Sequence, residues 1–264
     1  MKVVVCTKQT PSTTAVFTVN NGQVSWSDPG GKPQVVNPWD EYAIEEAIRL
    51  TEKHGATEAV AISVGPEEAK ETLKTGLAMG LSDAILISDP AFEGSDGLGT
   101  ARILAAGITK TGADIALFGK QAIDGDTGMT PVMVARVLGW TPLTFVSAIE
   151  KIEGGKITVK RLVESGTQTV SAELPVVISV VKEINEPRYP SFMGIRKANR
   201  ATIATWTQSD LSISGAYGRG VAKVDWSNVY AMPVIETVTE FITGDSPADV
   251  ARKLADKLFE EKVI

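Results

Sequence analysis

The chain has 264 residues, 26 Lys and Arg against 32 Asp and Glu, a formal net charge of −6 at pH 7, and 43% hydrophobic residues. That balance suits a globular protein with a real core, and a net acidic chain without a long Lys/Arg run is a poor grip for a nucleic-acid backbone. One cysteine, Cys6, and one histidine, His54, exclude an intrachain disulfide and a Cys/His zinc site.

The N-terminal Val3-Val4-Val5-Cys6 is a buried-strand run, too short for the apolar core of a secretory leader. No apolar run approaches the roughly 18–20 residues of a membrane span. The expected location is the cytoplasm, or the matrix of an organelle, with no membrane insertion. Asn20-Asn21-Gly22 is a turn signal that pairs Ala15–Val19 with Gln23–Ser27 as a hairpin, and Asp28-Pro29-Gly30-Gly31 is a second turn. Asn37-Pro38 starts a helix, with Asn as cap and Pro in the first turn. Ala43, Ile44, Ala47, Ile48 and Thr51 then share one face, which leaves Glu41, Glu45, Glu46 and Arg49 outside. His54 and Gly55 read as the charged end and the stop of that helix.

Strands Ala59–Val64, Ala84–Ile87 and Ile115–Phe118 alternate with helices over Glu67–Met79, Asp96–Thr109 and Val132–Leu138. The Gly94–Gly99 stretch is a helix entry capped by Ser95 or Asp96, since it lacks dinucleotide-binding spacing. Continuous apolar strands alternating with helices predict an α/β fold, a doubly wound, mostly parallel sheet with both faces covered. Leu143–Ile152 and Lys156–Val163 flank Glu153-Gly154-Gly155 as an added β-hairpin, and Gln168–Ala172 and Val176–Val181 are further strands. Residues 185–201 read as a loop with Pro187, Pro190 and several basic residues. The chain is expected to divide into an α/β nucleotide-binding domain, 1–210, and a C-terminal extension, 211–264. The extension ends in a helix capped by Ser246, with Val250, Leu254 and Leu258 as an apolar stripe.

Open α/β sheets bind ligands beyond the carboxyl ends of their strands. Three loops qualify: Thr7–Pro11, Asn37–Asp40 and Gly119–Thr130. The last combines glycines, hydroxyls and a helix N-terminus, the combination that cradles phosphate. Gly125 and Gly128 admit close backbone approach, and Thr127 and Thr130 offer hydroxyls. Asp124 and Asp126 would repel phosphate, so they are expected to hold the loop or face a ribose.

The chain resembles the β subunit of electron transfer flavoproteins along most of its length. The resemblance runs through Val5-Cys6-Thr7-Lys8-Gln9, Asn37-Pro38-Trp39-Asp40-Glu41-Tyr42-Ala43-Ile44-Glu45-Glu46-Ala47, Gly119-Lys120-Gln121-Ala122-Ile123-Asp124, Lys160-Arg161-Leu162-Val163-Glu164-Ser165-Gly166 and Asn185-Glu186-Pro187-Arg188-Tyr189-Pro190. It implies a non-catalytic electron carrier that pairs with a larger α subunit holding FAD at their interface. Electrons arrive from flavin dehydrogenases of the acyl-CoA type, as in fatty acid oxidation, and leave toward a quinone-linked acceptor. The family's nucleotide contacts map onto Cys6, Asn37, Pro38, Trp39, Asp40, Val64, Gly119, Lys120, Gln121, Ala122, Ile123, Asp124, Gly125, Asp126, Thr127, Gly128, Met129 and Thr130. Trp39 falls against the α-subunit flavin, whereas the family's aromatic near Thr13 is missing. The partner-docking loop maps onto Pro187, Arg188, Tyr189, Pro190, Ser191, Phe192, Met193, Gly194, Ile195 and Arg196, with Phe192 as apolar anchor, and the C-terminal helix is expected on the partner subunit. Asp124-Gly125-Asp126-Thr127 resembles members that hold a second FAD and split electrons from NADH, while Thr130 and Leu138-Gly139-Trp140 match members that hold structural AMP. AMP is the expected ligand and FAD the alternative. An ATP-consuming enzyme of the same fold is the competing class, opposed by the absence of a Ser-Gly-Gly-x-Asp start after the first strand.

Overall fold

The computed structural model describes residues 1–28, 31, 34–224, 228–233 and 236–264. Pro29 and Gly30 of the second expected turn lie outside the described residues. The described chain forms two units, Met1–Val229 and Tyr230–Ile264.

The first unit begins with β1 (Lys2–Cys6), β2 (Gln9–Pro11), β3 (Val16–Asn20), β4 (Gln23–Ser27) and β5 (Gln34–Val36), then α1 (Pro38–Lys53), β6 (Glu58–Val64), α2 (Lys70–Met79) and β7 (Asp83–Ile87). It continues through α3 (Gly97–Thr111), β8 (Ile115–Gly119), α4 (Thr130–Leu138), β9 (Thr141–Glu153), β10 (Lys156–Val163), β11 (Gly166–Glu173), β12 (Val176–Val180), α5 (Phe192–Arg200) and β13 (Ala204–Trp206). A nine-stranded sheet has the order β11-β10-β9-β12-β8-β1-β6-β7-β13. From β9 to β13 every neighbouring pair is parallel. The antiparallel β9-β10-β11 meander extends one edge, as the glycine turn at 154–155 predicts.

Side-chain alternation splits β1 between two layers. Val3 and Val5 pack with Ala43, Ile44, Ala47, Leu73 and Leu77 of α1 and α2. Val4 and Cys6 pack with Ala101, Ile103, Ile108 and Val134 of α3 and α4. Both faces are therefore covered, which makes the fold doubly wound. Asp96 caps α3, its Oδ1 accepting the Gly99 N–H at 2.9 Å. His54 closes α1, donating its N–H to Leu50 O at 3.1 Å, and Gly55 takes the left-handed turn at φ +70°.

Several expectations need correction. The stretch 67–79 is a 3-10 turn over Glu67–Ala69 followed by α2, and α4 begins at Thr130 rather than Val132. Part of the expected loop at 185–201 is α5, started by Ser191, whose Oγ accepts the Gly194 N–H at 2.9 Å. Glu45 and Glu46, placed outside by helical periodicity, are only 2% and 6% exposed, because the segment 185–188 folds across that flank of α1. The short strands β2, β5 and β13 carry too little pattern to be read in advance.

Residues 211–223 fold back on α3: the Tyr217 ring meets Phe92 at 5.6 Å, and Lys223 N–H donates to Asp96 Oδ2 at 2.8 Å. In the second unit α6 (Pro247–Glu260) starts at Ser246, whose Oγ accepts the Asp249 N–H at 3.2 Å. Arg252 and Lys253 pair with Asp249, each at 2.8 Å. Among the described residues no helix is long and apolar enough to cross a membrane.

Candidate functional site

The strand order reverses at β1, with β6 on one side and β8 on the other. Connections leaving β1 and β8 diverge there and open a crevice beyond their carboxyl ends, where open α/β sheets bind ligands. Thr7 and Lys8, the start of α1, and the loop from Gly119 to Thr130 surround this point.

The three segments are latched by two side chains. Asp40 is buried, and its Oδ2 accepts the Lys8 N–H at 2.8 Å. Its Oδ1 accepts Asn37 Nδ2 at 2.9 Å and the Gly119 N–H at 3.2 Å. Asn37 occupies the cap position of α1 but makes no side-chain cap bond. Instead its Nδ2 donates to Gln121 O at 2.8 Å, and its Oδ1 accepts the Ile123 N–H at 3.2 Å. A residue that reads as a helix cap is thus a bridge to the β8 loop. Burial pushes the Asp40 carboxyl up from 3.8 to about 7, against the opposing hydrogen bonds from Lys8, Asn37 and Gly119. Burial, then the Asp40 charge, pushes the Cys6 thiol up, so it is an inert wall residue at the end of β1.

Gly119 is required by contact. A Cβ there would lie 2.5 Å from both Asp40 Oδ1 and the Trp39 carbonyl carbon. Beyond it, Lys8 Nζ pairs with the Asp124 carboxylate at 2.7 and 2.8 Å, and Gln121 Nε2 donates to Asp126 Oδ1 at 2.7 Å. The two aspartates hold the loop, while Gly128 takes φ +60° and Asp126 φ +49°. Gly125, Asp126, Thr127 and Met129 are exposed, Ala122, Gly128 and Thr130 are half-buried, and Thr130 opens α4. Val64 is half-buried at the end of β6, and the neighbouring Ser63 hydroxyl is buried without a hydrogen-bond partner.

Trp39 is half-buried in the first turn of α1, its ring 6.2 Å from Tyr42. Lys120 Nζ lies 5.3 Å from the Trp39 ring centroid and 5.9 Å from that of Phe145. Phe145 sits in β9 with φ +56°, a left-handed backbone that costs an L-residue about 1–2 kcal/mol. It occupies a bulge opposite Ser179, where the β9–β12 register slips between Ile178 and Val180.

A second locus lies on the flank of α1. Arg188 Nε and Nη2 donate to Glu45 at 2.7 and 3.1 Å, and Nη1 and Nη2 to Glu52 at 2.8 and 3.0 Å. Burial raises Glu45, but hydrogen bonds from Arg188 and Arg49 outweigh it and leave the carboxyl below its ordinary value. Asn185 Nδ2 bonds Tyr42 O and Glu46 Oε2, each at 3.0 Å. A Cβ on Gly194 would collide with the Ala78 carbonyl oxygen of α2, and Ala198 is buried. Between these anchors Tyr189, Phe192 and Met193 stand out, 95%, 76% and 69% exposed.

Comparison with known proteins gives these geometries a family. The model of the electron transfer flavoprotein domain matches residues 27–211. The chain belongs to the electron transfer flavoprotein family, as a beta subunit. It is 36% identical over 267 residues to the caffeyl-CoA reductase-Etf complex subunit CarD of Acetobacterium woodii, covering all of both chains. It is 38% identical over 239 residues to the electron transfer flavoprotein subunit beta of Thermoanaerobacterium thermosaccharolyticum, covering 89% of each. Against the subunit beta of Bos taurus the identity is 40% over 185 residues, covering 69% of this chain and 72% of that one.

Within this electron transfer flavoprotein fold the structure gathers Cys6, Asn37–Asp40, Val64 and Gly119–Thr130 at one end of the sheet. It sets Pro187–Arg196 apart, on the flank of α1 and α2. Sequence reasoning missed Phe145, whose strained bulge leaves no local motif, and the Glu45–Arg188–Glu52 network. Unpaired acids along one flank of a helix are the only signal for the latter.

Proposed function

We propose that this chain is the beta half of a heterodimeric electron carrier. It holds an adenine nucleotide in the β1/β8 crevice and presents Trp39 to the FAD of an α subunit. The observation that carries the reading is the Asn37–Asp40–Gly119 latch, which holds a glycine-lined crevice open beside a half-buried tryptophan. The residues fit such a ligand. Gly125, where a Cβ would meet nothing within 4 Å, and Gly128 leave room for close backbone approach, and the first N–H groups of α4 with Thr127 and Thr130 suit phosphate. Lys8 offsets the charge of Asp124, and Gln121 holds the Asp126 carboxylate within the loop.

The nucleotide of this reading is AMP, a structural ligand. The second reading, FAD in the same crevice, draws on the Asp124-Gly125-Asp126-Thr127 run. When bound, the flavin supplies the electron exchange; this chain binds, orients and shields it, with no nucleophile or proton donor of its own required. Tyr189, Phe192 and Met193 form the apolar contact for a flavin dehydrogenase, and α6 docks on the α subunit. A quinone-linked acceptor takes the electrons, and the carrier works in the cytoplasm or matrix. The name of the Acetobacterium woodii relative supports an exchange partner of the acyl-CoA-processing class.

Acid extraction of the purified heterodimer, with chromatography of the released nucleotides, tests this reading. One FAD and one AMP per heterodimer are expected. Two FAD without AMP establish the second reading, and release of no nucleotide refutes both.

A further inference from the structure

Residues 15–27 carry no Asp, Glu, Lys, Arg or Pro, in a chain of which 22% is charged. They form β3 and β4, joined by Asn21-Gly22 with φ +52° and +74°, the left-handed pair that a tight hairpin turn needs. Phe17 stands directly opposite Trp26 and Val19 opposite Val24, which puts all four side chains on one face. The Phe17 and Trp26 rings meet at 5.5 Å. On the other face the Thr18 and Ser25 hydroxyls share a hydrogen bond at 2.7 Å. The ribbon has a distinct apolar face, yet that face is not buried: Phe17, Val24 and Trp26 are exposed and Val19 is half-buried.

Such a ribbon is out of balance in water. A lone two-stranded hairpin is marginally stable at best and needs a further strand or a packed layer. Among the described residues β3 and β4 form a sheet only with each other, so both outer edges lack a strand partner. Exposed edges are ordinarily guarded by charge, Pro or a bulge. This ribbon has no charged residue and no Pro, and its register runs unbroken from Val16 with Ser27 to Asn20 with Gln23. A surface left uncharged, apolar and unguarded is suited to permanent cover.

The place of the hairpin identifies the cover. β2 and β5 pair antiparallel and carry the chain out from Lys8 and back to Asn37, whose N–H donates to Lys8 O at 2.9 Å. The hairpin is the outer part of that excursion, closed at its base by Thr14 Oγ1 donating to Asp28 Oδ2 at 3.0 Å. The excursion therefore stands on the crevice rim and ends two residues before Trp39. The docking segment around Phe192 has a different character, with Arg196, Lys197 and Arg200 exposed on α5, as suits an encounter steered by charge. Permanent interfaces are instead apolar and depleted of charge at their centre.

We propose that the Phe17, Val19, Val24 and Trp26 face of the hairpin is a permanent interface, covered by an uncharged, apolar patch of the α subunit. The proposal rests on the reading of the chain as the beta half of a heterodimer.

Hydrogen–deuterium exchange on the purified heterodimer, with and without a dehydrogenase, tests the cover. Slow exchange across residues 15–27 is expected without the dehydrogenase. Phe17→Thr with Trp26→Thr removes the apolar face while keeping β-forming residues, and Thr18→Val alters only the opposite face. The double variant is expected to raise the dissociation constant of the heterodimer about tenfold or more, read from the mass of the complex on serial dilution. Thr18→Val should leave it within about twofold of wild type. Fast exchange together with wild-type affinity in the double variant refutes the interface while the heterodimer reading stands. Protection that arises only with the dehydrogenase overturns the α subunit as occupant, and so does a doubling of the heterodimer's mass that the double variant abolishes. Equal weakening by both sets of variants overturns the assignment to this face. A wild-type chain that does not associate with an α subunit overturns both readings.

Discussion

Replacing Gly119 by alanine adds one methyl group at the tightest point of the crevice. Its carbon would fall 2.5 Å from Asp40 Oδ1, 2.5 Å from the Trp39 carbonyl carbon and 2.7 Å from the Trp39 oxygen. Non-bonded carbon contacts settle near 3.5–4.0 Å, so something must move by roughly 1 Å. Two of the three atoms are backbone of the first turn of α1, which the Asn37 and Asp40 bonds hold in place. Overpacking of this kind costs about 1–3 kcal/mol. The displacement also breaks the bond from Gly119 N–H to Asp40, and a bond to a carboxyl that is only partly ionised near neutral pH contributes about 1–3 kcal/mol. The expected loss is about 3–5 kcal/mol, a large share of the ~5–15 kcal/mol of a typical fold. Two neighbours in the same loop calibrate it. Gly125→Ala meets nothing within 4 Å and needs no left-handed backbone, so it should change stability by less than about 1 kcal/mol. Gly128→Ala is strained at φ +60° and should cost about 1–2 kcal/mol. Urea-denaturation midpoints of the three variants give the order directly. A Gly119→Ala protein within about 1 kcal/mol of wild type would refute the packing argument.

Asp40 predicts a pH dependence. Its folded pKa, about 7, lies above the ordinary 3.8, so the fold binds this proton more tightly than the unfolded chain. The stabilisation is complete below the unfolded value and is lost as pH rises through about 7. Wild type should therefore lose stability relative to Asp40→Asn by about 1.4 kcal/mol per unit between roughly pH 5 and 7, measured by paired urea titrations. A gap that stays constant over that window contradicts it. Arg188→Met strands the buried Glu45 carboxylate with only Arg49 left, at an expected cost of about 2–4 kcal/mol. Glu52→Gln, at the exposed end of the network, should cost under about 1 kcal/mol, and equal losses in thermal melts would argue against the assignment. Phe192→Ser should leave stability within about 0.5 kcal/mol, because the side chain is 76% exposed, while weakening dehydrogenase binding about tenfold or more. Unchanged affinity in a binding titration removes Phe192 as the anchor.

Much of this was legible in the sequence, for identifiable reasons. The strand and helix alternation follows from continuous apolar runs separated by 3.6-residue periodicity, and charge left Asp124 and Asp126 two roles, bracing the loop or facing a ribose, of which the structure shows the bracing. Apart from element boundaries, the misreadings arise mainly from partners distant in the chain. Glu45 and Glu46 lie on the solvent side of α1 by periodicity and are buried only because residues about 140 positions later cover them. Asn37 has the sequence of a cap, yet its side chain is drawn to Gln121 and Ile123 across the crevice. Pro187 and Pro190 suggested an unbroken loop, although the Ser191 cap and the Gly194 contact with α2 support a helical turn just beyond them. Phe145 carries no signal, since an aromatic in a strand is ordinary until its register is known.

The two loci share one helix. α1 carries Trp39 and Asp40 in its first turn and Glu45, Glu46 and Glu52 along the flank gripped by Asn185 and Arg188. At 1.5 Å per residue the 16 residues of α1 span about 24 Å, so the crevice is fixed to the first turn of this rod and the docking segment to its middle and far end. Shared attachment alone does not make a signalling path, which would need an element with two arrangements. Without such an element, perturbations at the first turn and along the flank are independent. Gly119→Ala acts on the first turn of α1, and Arg188→Met on Glu45 and Glu52, with no common partner among the described residues. Their stability losses in the double variant should therefore add to within about 0.5 kcal/mol. A coupling of 1 kcal/mol or more, of either sign, would show that α1 shifts as the crevice is distorted and carries that shift to the docking segment.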